Sequence, residues 1–294
     1  MNNLVRKCIR FGAYRGLFDW LRDETYLKLL YKARLNKTLN LKNPSSFNEK
    51  LQWLKLNYRK EELSTLVDKI AAKEYVSKIL GEEFIIPTIG VWNHPDEIDF
   101  DALPNQFVLK CNHNSGLGMY ICKDKRKMNV EQVKEELSRG LKEDYYSTSR
   151  EWPYKNVKRQ ILAEQYMVSE EDGLTDYKVH NFNGEPGFVL VCKDRFKSSG
   201  LTEDFFTPDW THMNVKRPGN QWASRPIEKP DELEEMLEIS RILAKDMPFI
   251  RTDFYIINHK LYFSEFTFFP ASGFEKFEPE HWDQEFGSWL KLEL

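Results

Sequence analysis

The feature that most constrains this chain is a pair of apolar, aromatic-rich runs near its end, residues 250–257 and 261–267, which flank the polar residues 258–260. Two such runs around a short polar break predict a β-hairpin. If the loop has three residues, Asp253 lies opposite Glu265 on one face, because side chains alternate between faces along each strand. A two-residue loop would place the two carboxylates on opposite faces, so the hypothesis depends on the turn.

Two carboxylates within pairing distance repel each other, and a surface without function would avoid them. A divalent cation such as Mg²⁺ removes this repulsion, because it takes carboxylate oxygens and leaves coordination positions for phosphate. In the same register Arg251 lies opposite Thr267, where its guanidinium can steady a phosphate or a developing oxyanion. The hairpin therefore predicts a metal and phosphate site, and a structural ion-pair network is the alternative.

Length and composition indicate a globular protein of two or three domains. The chain has 294 residues, of which 41% are hydrophobic and 30% charged, and its net charge of −3 gives no global signature of nucleic-acid binding. Four cysteines form no CxxC pair and no metal-binding spacing, which favours reduced thiols and a cytoplasmic location. No apolar run approaches the ~20 residues that span a bilayer.

The first 80 residues are predicted to be mostly helical, and the rest of the chain mixes helices with antiparallel strands. Ser46 to Glu49 has the form of a capping box, and a helix over 66–80 is expected to end at Gly81. Further helices are predicted over 129–142 and 228–245. Strands are predicted over 84–87, 107–110, 119–122, 161–168, 177–182 and 187–192, and a long loop over 196–226. The fold class is therefore α+β.

Three shorter motifs carry charge at strands. Lys110 ends a strand before the glycine-containing turn 112–118, which offers backbone N–H groups to an anion; a lone lysine at a strand end is more often simply solvated, and that is the alternative. Glu164 lies in an apolar run, where a buried carboxylate needs a partner. The backbone N–H and C=O groups at the strand edge could bind a flat base such as a purine. The alternative is an edge strand with the glutamate pointing outward. Asp176 and Lys178 are two residues apart on one strand, so their side chains point to the same face. They indicate a phosphate site, with a simple cross-strand ion pair as the alternative.

The order of these motifs resembles the ATP-grasp superfamily, whose enzymes clamp ATP between two α+β lobes. The resemblance is closer to the branch named for teichuronopeptide biosynthesis and covers about residues 24–290. The similar segments are 43–53, 68–69, 108–113, 176–178, 182–186 and 251–255. The domains expected from it are a helical N-terminal domain (1–104), an ATP-grasp lid subdomain (105–166) and a catalytic subdomain (167–294).

The resemblance implies binding of ATP and Mg²⁺. At the nucleotide it implies Lys110 and Lys178 on the phosphates, Ser115, Gly116 and Gly118 in a flexible lid loop, Glu164, Gln165 and Tyr166 at the adenine hinge, Glu171 at the ribose, and Asp176. At the metals it implies Asp253, Glu265 and Thr267, with Arg251 beside the γ-phosphate. Thr267 departs from the family pattern, because many ATP-grasp enzymes have Asn there. Ser272 and Gly273 follow the metal strand directly and are predicted to hold the substrate carboxylate.

The implied activity is that of an ATP-dependent carboxylate–amine ligase. It would form an amide on a uronic-acid sugar through an acyl phosphate, with an amino acid or amino alcohol as the amine, in capsule or other surface-polysaccharide assembly. The sugar could be free, nucleotide-linked or lipid-linked, and no nucleic-acid partner is expected. A sugar-nucleotide glycosyltransferase is the alternative function.

The N-terminal segment adds an expectation about location. Residues 1–36 carry eight Lys and Arg against three Asp and Glu. A solvated helix face is one interpretation; docking to the anionic cytoplasmic leaflet is the other, with Phe11, Leu17, Phe18 and Trp20 as the apolar face. The predicted location is therefore cytoplasmic, with peripheral contact to the inner membrane surface as a hypothesis.

Overall fold

A computed structural model describes residues 1–167, 174–193 and 200–293. The helices of these residues are α1 (Asn3–Tyr14), α2 (Asp23–Leu35), α3 (Phe47–Asn57), α4 (Glu62–Val67), α5 (Lys69–Leu80), α6 (Val130–Lys142), α7 (Tyr145–Ser149), α8 (Leu233–Ala244) and α9 (Trp282–Trp289). The strands are β1 (Thr88–Trp92), β2 (Phe107–Cys111), β3 (Met119–Cys122), β4 (Ile161–Gln165), β5 (Asp176–Phe182), β6 (Glu185–Lys193), β7 (Thr202–Phe206), β8 (Phe249–Ile257) and β9 (Lys260–Thr267). The predicted α+β class is confirmed.

The smaller of two antiparallel sheets has the order β1-β4-β2-β3. Helix α6 packs on it around a core that includes Phe107, Leu137 and Ile161. The strand expected over 84–87 is wrong: Glu82–Phe84 forms a 3₁₀ turn, and β1 begins only after Pro87, which has no N–H to donate to a ladder. Since β1 pairs with β4, this sheet takes one strand from before residue 104.

The larger sheet has the order β7-β6-β5-β8-β9. Helices α3, α5, α8 and α9 pack against it, and its buried core is rich in phenylalanine. Phe47 is the first residue of α3, and its ring centroid lies 5.0 Å from that of Phe249 and 5.6 Å from that of Phe182. Helix α3 is thus part of the core of the larger sheet, and it is held there at its start by the predicted capping box, in which Ser46 and Glu49 bond each other's backbone.

The β8–β9 hairpin confirms the predicted face of its carboxylates by a different route. The three-residue loop is wrong: Ile257 pairs with Lys260, and Asn258 and His259 form a two-residue turn with φ of 51° and 57°. Alone, this turn would separate Asp253 from Glu265. A β-bulge after Phe263 adds one residue, Ser264, to β9 and restores the pairing of Asp253 with Glu265.

Four other elements differ from expectation. The helix expected over 66–80 is divided at Asp68, whose carboxylate caps α5 by accepting from the N–H of Ile70. The loop expected over 196–226 contains β7. Helix α8 starts five residues later than expected, beyond Pro230. Strand β4 ends at Gln165 and is an inner strand, so the edge-strand interpretation of Glu164 is wrong.

Helices α1 and α2 pack on each other at the N-terminus, around a small cluster that includes Ala13, Tyr26 and Phe274. Among the described helices, none combines the length and the apolar character needed to cross a membrane.

Candidate active site

Asp253 is the most heavily paired carboxylate of the predicted set. It is buried in the middle of β8, where its Oδ1 accepts from Arg251 Nε at 2.6 Å and its Oδ2 from Arg251 Nη2 at 2.7 Å and Lys178 Nζ at 2.5 Å. Burial opposes ionisation, but the guanidinium and the ammonium outweigh it and hold the pKa of Asp253 at about 2. Arg251 and Asp253 of β8 therefore meet Lys178 of β5 through the cross-strand pairing of these two strands.

Glu265 is more exposed and less tightly held than Asp253. Its Oε1 lies 3.6 Å from Arg251 Nη2, and its Oε2 lies 3.9 Å from Lys69 Nζ. Lys69 is the first residue of α5, and its ammonium donates to the carbonyl of Asn114 at 2.5 Å. Lys69 thus connects the β8–β9 hairpin to the glycine-containing turn, a link that sequence reasoning missed because the two segments are far apart in the chain.

Glu164 joins two lysines at the smaller sheet. Its Oε1 accepts from Lys73 at 2.6 Å, and its Oε2 lies 2.5 Å from Lys110. Burial disfavours the charged carboxylate, but the two ammonium groups overcome it and lower the pKa of Glu164. The backbone of Glu164 pairs with strands on both sides, and the N–H of the next residue, Gln165, donates to the Pro87 carbonyl at 3.0 Å.

The predicted lid loop contains two glycines in different settings. Gly116 has φ of 92° and open space where a side chain would point, whereas Gly118 has φ of 69° and lies against Gly140 of α6. The N–H of Gly118 donates to Glu136 at 3.2 Å. One end of the loop is therefore anchored on α6, and its mobility on nucleotide binding stays a prediction.

Residues Pro270–Gly273 form a tight turn after β9. Ala271, Ser272 and Gly273 all have positive φ, of 46°, 56° and 65°. For the two non-glycine residues this left-handed backbone costs about 1–3 kcal/mol each, and such strain persists only where neighbours enforce it. The neighbour here is α3: Gln52 Nε2 donates to the Ser272 carbonyl at 3.0 Å and the Gly273 carbonyl at 2.6 Å.

A cavity of about 430 Å³ gathers part of this set. The predicted residues that line it are Ser115, Arg251, Glu265, Thr267 and Ser272. Lining residues that were not predicted include Arg34, Lys69, Glu143, Tyr145, Glu151 and Tyr154. Gly273 lies behind the turn, where a side chain would meet Gln52. The implied ribose ligand Glu171 lies outside the described residues.

Comparison with protein-family models gives one match, to TupA-like ATP-grasp, over residues 49–291. The chain belongs to the TupA-like ATP-grasp family. It is accordingly an enzyme of the ATP-dependent ligase type. Comparison with curated proteins gave no match.

Solved structures similar to this chain include several ligases. The D-alanine–D-alanine ligase of Helicobacter pylori is 15% identical, with 85% of this chain and 70% of that chain covered and a TM-score of 0.44. The corresponding ligase of Bacillus anthracis complexed with ATP is 15% identical, with 70% and 57% covered and a TM-score of 0.43. The ATP-grasp ligase PsnB, complexed with a precursor variant, Mg and ADP, is 10% identical, with 87% and 65% covered and a TM-score of 0.42. The chain spans 57–70% of the length of these ligases.

Two buried ionisable residues of this ATP-grasp chain were missed by sequence reasoning. Lys55 has no exposed surface and donates to the Ser149 carbonyl, the Ser272 carbonyl and Ser272 Oγ at 2.7, 2.9 and 2.8 Å. Glu151, 3% exposed, lies in the cavity wall nearby. No local signal marks either one, because Lys55 has the spacing of an ordinary helix residue and Glu151 lies in an irregular segment.

Proposed function

We propose that this chain is an ATP-dependent carboxylate–amine ligase that forms an amide on a uronic-acid sugar, by way of an acyl phosphate, in surface-polysaccharide assembly. The amine is an amino acid or amino alcohol. The observation that carries the proposal is the meeting of Arg251, Glu265, Thr267 and Ser272 at one cavity, beside the paired Asp253 and Lys178. That set offers metal ligands, phosphate-binding cations and a polar turn in one place.

The residues present fit ATP with Mg²⁺. Glu265 and Thr267 direct hard oxygen donors to the cavity, and Asp253 is their cross-strand neighbour. Lys178 and Arg251 now neutralise Asp253, and Lys110 neutralises Glu164. These cations are suited to bind phosphate oxygens. When they do so, the Asp253 carboxylate becomes available to the metal. When bound, ATP with Mg²⁺ supplies the phosphoryl group that activates the substrate carboxylate.

The remaining roles belong to positioning. The backbone of the turn Pro270–Gly273 and the hydroxyl of Ser272 are placed to hold the substrate carboxylate beside Arg251, whose guanidinium stabilises the oxyanion formed when the amine attacks. Gln52 and Lys55 keep this turn in its left-handed conformation. The ligase proposal thus assigns the strained turn to substrate orientation.

A basic groove beside the cavity supports a substrate that carries further negative charge. The groove has a volume of about 750 Å³ and is lined by four basic residues, Lys7, Arg10, Arg34 and Lys276, against one acidic residue, Glu275, together with aromatic side chains. It shares Arg10 and Arg34 with the cavity wall. A uronate linked to a nucleotide diphosphate or a lipid diphosphate would match these charges, and the exposed side chains of α1 beside the groove support a peripheral membrane contact.

A sugar-nucleotide glycosyltransferase remains the alternative. Asp99-Phe100-Asp101 has the D-x-D spacing typical of metal sites in such enzymes. However, Asp99 Oδ1 accepts from the N–H groups of Asp101 and Ala102, at 3.1 and 3.2 Å, and Phe100 is buried in the core of the smaller sheet. Neither aspartate is among the described residues that line the cavity. The tripeptide is therefore explained as a turn.

The test is ADP release from ATP, measured over a matrix of uronates and primary amines. A ligase releases ADP only with a matching carboxylate, and phosphate and the amide form when the matching amine displaces the phosphate. Asp253→Asn and Glu265→Gln are the controls, each expected to reduce ADP release by orders of magnitude while the protein stays folded. Sugar transfer from a nucleotide sugar without ADP release would establish the alternative instead.

A further inference from the structure

The cavity has one wall that the nucleotide and metal roles leave unexplained. Its central residue is Glu151, which follows α7. The N–H of Glu151 donates to Ser149 Oγ at 3.1 Å, and the preceding residue, Arg150, is fixed by stacking of its guanidinium 4.2 Å from the ring centroid of Tyr26. The backbone of Glu151 is therefore held rigidly, and its side chain has a defined place in the cavity wall.

Glu151 is buried, yet one of its oxygens lacks a partner within the described part of the chain. Among those residues, no hydrogen bond reaches Oε1. A buried carboxylate oxygen without a donor is costly, about 1–3 kcal/mol, so native proteins seldom leave one unless a ligand completes it. The residue lines the cavity. The missing donor is therefore expected to come from a molecule in the cavity.

The groups around Glu151 identify the charge of that molecule. The Glu143 carboxylate lines the same cavity, and its Oε2 is likewise buried and without a partner in the described structure. Tyr145 and Tyr154 pack edge to face 4.7 Å apart between these charges, and the Glu151 carboxylate and burial raise the pKa of Tyr145 well above its usual range. Arg34 also lines the cavity, but the unpartnered polar atoms of this wall are carboxylate oxygens beside neutral phenols, and these atoms suit a cationic ligand.

Lys55 does not serve as the missing donor. Its ammonium has three protons, and its three hydrogen bonds to Ser149 and Ser272 account for all of them. Its positive charge opposes the effect of burial on the pKa of Glu151, as does the Ser272 hydroxyl, which accepts from Lys55. The charged or titratable groups that face Glu151 are Lys55, Arg34, Tyr145 and Tyr154.

We propose that Glu151 binds the ammonium group of the amine substrate and accepts a proton from it. This inference rests on the proposed ligase function and assigns the amine half of its site. Burial raises the pKa of Glu151 to about 7 against the opposing charge of Lys55, which suits a group that exchanges a proton at neutral pH.

The chemistry balances as follows. A primary ammonium has no free electron pair, so one proton passes to the Glu151 carboxylate and leaves a neutral amine. The nitrogen electron pair then forms the C–N bond at the activated carbonyl carbon, the bond from that carbon to the phosphate oxygen breaks, and the phosphate departs with the bonding electrons. A second proton passes from the nitrogen to the phosphate. The amide keeps one N–H, and Glu151 releases its proton to water.

The experiment separates the two halves of the reaction. With the uronate that gives ADP release, hydroxylamine captures the acyl phosphate as a hydroxamate; it is neutral at neutral pH and needs no proton acceptor. Glu151→Gln is expected to reduce kcat/KM for the amine about 100-fold, the scale of general base catalysis, while hydroxamate formation is unchanged. Glu131→Gln, a charge-matched change at an exposed residue of α6, should alter neither.

The pH profile supplies a readout that a purely structural role would not change. Amine-dependent turnover should rise through the Glu151 pKa in the wild type and lose that rise in Glu151→Gln. Ser272→Ala should move the midpoint upward, because the Ser272 hydroxyl lowers the pKa of Glu151. Glu151→Asp keeps the carboxylate and should restore part of the amine step, which covers the case that Glu151→Gln does not fold.

A second measurement needs no turnover. With glutamate labelled at the side-chain carboxyl carbon, NMR spectra of wild type and Glu151→Gln should differ by one signal that titrates near pH 7 and shifts when ethanolamine is added. Unchanged amide formation in Glu151→Gln, equal loss of hydroxamate and amide in a folded variant, or no shift with ethanolamine would each overturn the proposal. A wild type that releases no ADP with any uronate would overturn the ligase function itself.

Discussion

Asp253 faces Glu265 across the β8–β9 hairpin because two irregularities compensate each other. The two-residue turn at Asn258 and His259 shifts the register by one residue, and the bulge at Ser264 shifts it back. A one-residue slip in a strand moves every following side chain to the other face. The bulge is thus the feature that brings the second carboxylate onto the side of the sheet where Arg251 and Lys178 lie.

Deletion of Ser264 tests this relationship directly. Without this extra residue, Phe254 still pairs with Phe263 and Asp253 with Glu265, so both carboxylates stay on one face and the variant should keep most of its ADP release, unlike Glu265→Gln. Ser264→Ala keeps the bulge and should retain most of the activity. Circular dichroism and thermal unfolding check that both variants fold. A folded deletion variant as inactive as Glu265→Gln would show that the pairing of Asp253 with Glu265 is not sufficient to position these side chains.

Lys110 and Lys73 both contact Glu164, but they are expected to differ in function. Lys110→Met should lower the affinity for ATP by at least about tenfold in calorimetry, as should Lys178→Met, because each removes a cation suited to phosphate. Lys73→Met should instead lower the free energy of unfolding by about 3 kcal/mol, since it breaks a buried ion pair. Urea denaturation measures the second effect. Unchanged ATP affinity in both Lys110→Met and Lys178→Met would contradict their phosphate roles.

Gly118 and Gly140 are expected to fix the end of the glycine-containing turn to α6. An added side-chain carbon at Gly140 would lie 2.6 Å from the Cα of Gly118 and 2.7 Å from Cys111 Sγ. Because the obstacle includes backbone, Gly140→Ala should destabilise the protein by about 1–3 kcal/mol despite the better helix propensity of alanine. Ser138→Ala, on the same helix, should be neutral or slightly stabilising. Equal unfolding midpoints for the two variants would show that this contact can open freely.

The sequence was sufficient where local chemistry decides structure. The capping box of Ser46 and Glu49 and the turn at Asn183-Gly184 each need only neighbouring residues, and both are confirmed. The ATP-grasp family was likewise recognisable from ordered motifs. The partners of Glu164 could not be predicted, because Lys73 lies 91 residues away on a helix whose packing cannot be derived from periodicity.

The same limit explains why the buried residues Lys55 and Glu151 were missed. The contact of Lys55 with Ser272 joins residues 217 positions apart, and Glu151 interacts with charged or titratable groups of α2, α3 and α7, namely Arg34, Lys55 and Tyr145. An irregular polar segment such as 144–157 gives no sequence signal of burial. The register of the hairpin was predicted correctly only because an unpredicted bulge offset an incorrect turn, so that agreement does not measure how well turns can be predicted.

Glu151 should also make stability depend on pH. Its pKa is about 7 in the folded protein and near 4.3 when unfolded, so between these values the folded state holds a proton that the unfolded state does not. Stability from this group is therefore greatest below about pH 4.3 and is lost as the pH rises to about 7, by at most about 1.4 kcal/mol for each pH unit. Urea unfolding at several pH values should show this loss in the wild type and a flatter dependence in Glu151→Gln. Parallel curves would mean that Glu151 is ionised throughout.

The last prediction concerns α1 and the residues that follow it, which expose large apolar side chains; Phe11 of α1 also lines the basic groove. Phe11 is 61% exposed and Trp20 is 80% exposed, whereas Phe18 packs partly against the core of α1 and α2. Basic residues near an anionic bilayer add about 1 kcal/mol each, and inserted aromatic rings add to this. Co-sedimentation with vesicles of anionic lipid should therefore fall in a Phe11→Ser, Trp20→Ser double variant and at raised salt. Vesicles of neutral lipid are the control, and equal, negligible binding by wild type and variant would leave α1 as an ordinary solvated helix.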